Sequence, residues 1–145
     1  MKTLYESILS STKSGAAQFT EKNIGNLFPR TNLHLFFDTK KMHEDAKKLT
    51  GKNPSYPSEA FAQILTSKPI LKKYYDVFFD EKMTPQDKNE KVTEAINEIF
   101  KDYLKDGHYN FFCHRSNIYR GFELGILYKA ERGYHSENIL ILKEK

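Results

Sequence analysis

The chain has no second cysteine. Cys113 stands alone in 145 residues, which excludes an internal disulfide framework and fits a reducing compartment. Long apolar runs are absent as well. No stretch approaches the roughly 20 apolar residues that a membrane helix needs, and the opening MKTLYESILSSTKSGAAQF lacks the sustained apolar core of a signal peptide. The expectation is a cytoplasmic protein of a bacterial cell, or of something replicating inside one, with no membrane partner. Catalytic signatures are missing too. There is no C-x-x-C, H-E-x-x-H or H-x-x-x-H and no G-x-S-x-G. The STKSG segment lacks the frame of a phosphate-binding loop, and no strand precedes it. Arginine is scarce: 19 of the 23 basic residues are lysine.

What is present has globular proportions. Hydrophobic residues make up 39% and charged residues 29%, which argues against disorder along the whole chain. A chain of this length forms one domain and buries about 68–70% of its unfolded surface, so it needs no metal or disulfide to hold it together. Net charge is +4 without a concentrated basic block. Residues 1–52 carry an excess of positive charge, 53–107 a small excess of negative charge, and 108–145 a small positive excess. That pattern permits attraction to phosphate or to an acidic protein face, but it is not the footprint of a dedicated nucleic-acid binder.

Periodicity divides the chain into a mainly helical part, 1–107, and a mainly strand part, 108–145. Thr3 and Glu6 form a capping box for a first helix, which ends at Gly15. Residues 16–28 read as a short helix broken at Gly25, and Asn32–Phe37 as a strand. Asp38 or Thr39 starts a helix that runs to Leu49, with Met42, Ala46 and Leu49 inward and Gly51 as its stop. Lys40, Lys41, Lys47, Lys48 and Lys52 make that helix cationic, and a solvated face is preferred over a phosphate-binding one. Helical spacing resumes over 60–65, and 70–78 shows a broad apolar face. Thr84-Pro85-Gln86-Asp87 opens a helix predicted over 85–105. From Tyr109 the period changes to two. Residues 118–130 read as a strand bent near Gly121 and Gly125, with a helix over 122–131 as the competing reading. The ERGYHSE segment looks loop-like, and Ile139–Leu142 reads as a short last strand. The expected class is α+β: four to five helices on a small antiparallel sheet built mainly from the last quarter.

The opening MKTLYESILSSTKSG resembles small uncharacterised proteins of gut anaerobes and their phages. The resemblance covers about the first tenth of the chain and implies a bacterial or phage accessory protein, with no site residues.

Chemistry-bearing residues gather near the C-terminus. No metal or cofactor site is expected, because Cys113 and His114 are adjacent and so point to opposite faces of a strand. One reading is a small metal-independent ribonuclease-like toxin. It would use His108 and His114 with His135 for proton transfer, Glu123 or Glu137 as a general base, and arginines for the phosphate. A second is a basic nucleic-acid binder using the lysines of 40–52. The preferred reading is non-enzymatic. Arginine and tyrosine are enriched at interface hot spots, and Arg115, Tyr119, Arg120, Arg132 and Tyr134 cluster in sequence. They suggest an accessory or inhibitory protein that docks on a protein or ribonucleoprotein complex, with a phage-type anti-defence protein such as an anti-CRISPR as its most concrete form. Nucleic acid is an admissible partner, and the sequence does not give the oligomeric state.

Overall fold

A computed structural model of the protein describes residues 15–144. The capping box at Thr3 and the helix expected to follow it lie outside these residues. Six strands and four α-helices make an α+β fold: β1 (Ala16–Ala17), β2 (Ile24–Leu27), α1 (Thr39–Thr50), α2 (Pro57–Ser67), β3 (Ile70–Leu71), α3 (Lys72–Val77), α4 (Pro85–Ile99), β4 (Tyr109–Arg115), β5 (Phe122–Ala130) and β6 (Gly133–Leu142). A four-stranded antiparallel sheet has the order β2-β6-β5-β4, and β1 pairs with β3 in a separate ribbon.

Alternation along the strands gives the sheet two unlike faces. Phe111, Cys113, Phe122, Leu124, Ile126, Leu140 and Leu142 point inward and are buried beneath the helices. An aromatic cluster fills the space between sheet and helices. Phe61 stacks on Phe100 with centroids 4.1 Å apart, and Phe37 lies edge-on to both at 5.9 and 5.8 Å. Rings of this size supply much of the buried area that offsets the chain's conformational entropy.

The helix starts follow their sequence signals. The Asp38 side chain accepts from the Lys41 amide to cap α1, and Thr84 accepts from the Asp87 amide to cap α4. Gly51 ends α1 with φ of 74°, a left-handed conformation that glycine adopts at low cost.

Four expectations need correction. Asn32–Phe37 is not a strand: Leu33–Leu35 form a 3₁₀ turn, and Leu33, Phe36 and Phe37 all turn into the core. Residues 16–28 are not a broken helix but two short strands and a 3₁₀ turn. Buried Asn23 holds that turn by donating from Nδ2 to the Lys143 carbonyl at 2.9 Å. The helix predicted over 85–105 stops at Ile99, because 103–105 runs extended against 36–38 through Asp38 N to Tyr103 O and Lys105 N to Phe36 O. The loop-like ERGYHSE segment is the tip and first half of a hairpin. Ala130 pairs with Gly133 across Glu131–Arg132, and β6 runs for ten residues to its end at Leu142. Its polar character reflects exposure, since 133–136 extend past the core. Between the competing readings of 118–131, the strand is the one found, starting at Phe122 and bulged between Leu124 and Gly125.

Among the described residues, no helix is long and apolar enough to cross a membrane.

Candidate recognition surface

The sheet carries its polar chemistry on the outer face and at its two ends. On the outer face, His114 of β4 sits opposite Glu123 of β5. Their side chains meet at 2.7 Å, Nε2 to Oε2, with the carboxylate largely covered. The imidazole also stacks on Phe112, with centroids 5.1 Å apart and planes 17° off parallel. Phe112 in turn lies over Gly125, where a Cβ would collide with the ring and with the Glu137 carbonyl. A glycine between β-branched and aliphatic strand residues is therefore what lets the outer face pack flat.

The other oxygen of Glu123 accepts from the Ser116 hydroxyl at 3.2 Å. Ser116 organises the whole β4–β5 connection. Its Oγ accepts from the amides of Ile118 and Tyr119 at 3.1 and 2.9 Å, and its own amide donates to the Gly121 carbonyl. Tyr119 packs edge-on against Phe28 with centroids 5.9 Å apart. Gly121 has φ of 130°, and a Cβ there would strike the Leu142 carbonyl, so no other residue fits that corner. Ser116–Gly121 is thus a braced loop. It projects Ile118, which is 81% exposed, and Arg120, which forms no ion pair among the described residues.

Beside the loop, Arg115 makes a two-pronged contact with Glu81: Nε to Oε1 at 2.5 Å and Nη2 to Oε2 at 3.1 Å. That contact holds the Glu81 carboxyl below its ordinary range. The guanidinium lies over the Phe122 ring at 4.7 Å, and the Lys88 ammonium over the same ring at 4.9 Å. Lys88 is buried and donates to the Asp80 carbonyl at 2.6 Å. Burial pushes its pKa down. A cleft of about 430 Å³ opens here between the start of α4 and β4. Cys113 lies on its floor, buried, with Sγ donating to the Phe78 carbonyl at 3.2 Å. Burial pushes this thiol up to about 12, so it is not a nucleophile at neutral pH.

The nine residues singled out from the sequence are not brought to one place. Arg115, Tyr119 and Arg120 lie at the β4–β5 end, with His114 and Glu123 next to them. Arg132 and Tyr134 lie at the β5–β6 tip, with His108 just before β4 on the same end. The length of β5 separates the two groups, about 26 Å at the usual rise per strand residue. His108, just before β4, and His114, six residues on within it, are separated by about 20 Å on the same basis. His135 pairs with Tyr128 on the opposite face from His114 and stacks on it at 5.7 Å. Two histidines therefore do not flank one reacting atom. Glu137 is bound to Asn32, accepting from Nδ2 at 2.6 Å and from the amide at 3.1 Å. Of the α1 lysines, Lys41 reaches the Asp102 carbonyl and Lys52 pairs loosely with Glu21. Among the described residues, no group of three or more His, Cys, Asp or Glu side chains is placed to hold a metal ion.

Sequence reading missed Ser116, Lys88 and Thr93. Ser116 had a usable signal: a serine at the end of a strand pattern, followed by Asn and Gly, is a turn former through its hydroxyl. Thr93 looked like one more polar residue on α4. Its hydroxyl accepts from the Phe111 amide at 2.9 Å and donates to the Phe111 carbonyl at 3.3 Å, closing the open edge of β4. No family model, curated protein or solved structure matches the chain.

Proposed function

We infer that the chain is a non-enzymatic accessory or inhibitory binding protein whose recognition element is the β4–β5 loop. It docks through Ile118 and Arg120 onto a protein or nucleoprotein complex and obstructs it. A phage-type anti-defence protein is the concrete form that the resemblance of the N-terminus suggests.

The observation that carries this reading is the bracing of a loop that has no apolar packing of its own at the tip. Four hydrogen bonds converge on Ser116, and an aromatic contact fixes Tyr119, while Ile118 stays 81% exposed. An ordered loop loses little conformational entropy on binding. A large exposed aliphatic group two residues from an arginine without an ion pair among the described residues is the composition of an interface anchor. The histidine of this region, His114, is held by Glu123, and that pair serves the brace.

The test is capture from host lysate by the wild-type chain, by Ile118→Asp with Arg120→Glu, and by Arg132→Glu with Tyr134→Ala. The reading expects a discrete partner with the wild type, its loss with the first double variant, and its retention with the second. A partner held equally by all three, or lost only with the second, overturns it. Growth arrest on expression that depends on His114, with degraded cellular RNA, would replace it with a ribonuclease.

A further inference from the structure

The opposite end of the sheet carries a second feature that the docking loop does not use. β4 begins at Tyr109, which pairs with Tyr128, so β5 runs on through Lys129 and Ala130 without a β4 neighbour. The step left behind is a hollow of about 1060 Å³, lined by Phe36, His108, Tyr109, Tyr128, Lys129 and Tyr134 among others. Its inner wall is aromatic and closed by packing. Phe36 touches both Tyr109 and Tyr128, with centroids 4.9 and 4.8 Å apart, and His135 stacks on Tyr128. Its rim is Tyr134, 75% exposed and directly across from Lys129 in the hairpin register.

We propose that the lip of this hollow binds single-stranded nucleic acid, with a base laid against Tyr134 and the adjoining phosphates met by Lys129, on the same face, and Arg132. Three observations meet here. The Tyr134 hydroxyl makes no hydrogen bond among the described residues, and the residue exposes a ring that packing does not need. A ring face open to solvent at the lip of a hollow is a stacking platform, and every base has a face to offer it. Lys129 and Arg132 are exposed and make no ion pair among the described residues, so both are available to phosphate. Glu131 is the one carboxylate on the lining. A proline-rich peptide would also suit aromatic walls, but it has no use for the paired cations, which is why nucleic acid is favoured.

The full chain is titrated at low salt into a labelled 12-nucleotide oligouridylate, the matching DNA strand and a 12-base-pair duplex. The expected result is saturable binding of the single strands and weaker binding of the duplex, which lacks an unstacked base. Tyr134→Ala should weaken the single-strand affinity about tenfold, and Tyr134→Phe should leave it within about twofold, because stacking and not the hydroxyl is at work. Lys129→Glu or Arg132→Glu should flatten the salt dependence by about one phosphate contact each. Ile118→Asp should change nothing, which separates this site from the docking loop: either can fail while the other stands. Absence of saturable binding overturns the proposal. So does a duplex bound as tightly as the single strand with no effect of Tyr134→Ala, since that is charge attraction alone. A decaproline peptide that binds through Tyr134 while the oligonucleotides do not would assign the hollow to protein instead.

Discussion

Cys113 and Gly125 show how neighbouring strand positions serve opposite ends. Cys113 is buried at the floor of the cleft and hydrogen-bonded to a carbonyl, with its thiol pushed up to about 12. A thiol reagent at pH 8 should therefore leave the native protein untouched and modify one cysteine per chain in denaturant. Rapid native labelling would show that the cleft opens readily. Gly125 has no room for a methyl group, because the Phe112 ring and the Glu137 backbone already occupy the space. Gly125→Ala should cost about 1–3 kcal/mol through overpacking, measured by urea unfolding, and should disturb the stack of Phe112 on His114.

At the scale of elements, the edge of β4 is the point most exposed to misassociation. An unpaired strand edge is a template for another chain, and here α4 covers it with Thr93. Thr93→Val keeps the shape and removes both hydrogen bonds. It should cost about 1–3 kcal/mol, the usual penalty for stranding a buried backbone donor, and should raise the dimer fraction in sedimentation. The β4–β5 loop gives the matching prediction for function. Ser116→Ala frees the Ile118 and Tyr119 amides and one oxygen of Glu123. Partner affinity should fall while the unfolding midpoint moves little, because the loop contributes little to the core. The sequence reveals these elements unevenly. α1 and α4 are legible because their caps, apolar spacing and glycine or proline stops are all local. The 3₁₀ turn at 33–35 is not, because Leu33 and Phe37 alternate like a strand, yet Phe37 is buried by rings from α2, the residue after α4, and β4. The first half of β6 is not legible either. A hairpin arm in solvent has no apolar face to show, so GYHS reads as loop even though its backbone is fully paired with β5. The candidate site was legible as a set of residue types and illegible as a place, since the distribution of Arg and Tyr between the two ends of β5 depends on where the strands turn.

For the whole molecule, burial of protonated groups sets the response to alkali. Burial raises the pKa of Cys113, Tyr103, Tyr109 and Tyr75. Above about pH 8.5 for the thiol and pH 10 for the phenols, the unfolded chain sheds protons that the folded chain keeps. Fewer protons bound in the unfolded state means that stability falls as pH rises. Lys68 and Lys88 act in the opposite sense, since burial lowers both and the folded state holds fewer protons than the unfolded one as pH approaches their ordinary value. The upward shifts at Cys113 and Tyr103 are the large ones, so the net is a loss. The urea midpoint should decline between about pH 9 and 11, and less steeply for Cys113→Ala than for the wild type. An unchanged midpoint over that range would mean that these side chains are more hydrated than their packing indicates.

A braced loop at one end of the sheet is the proposed docking element. Hydrogen exchange of the chain, free and bound to its captured partner, tests this directly. Added protection should appear over Ile118–Gly121 and the adjoining end of β5. Protection confined to other segments, with the amides of Ile118–Gly121 exchanging as they do in the free protein, would contradict it.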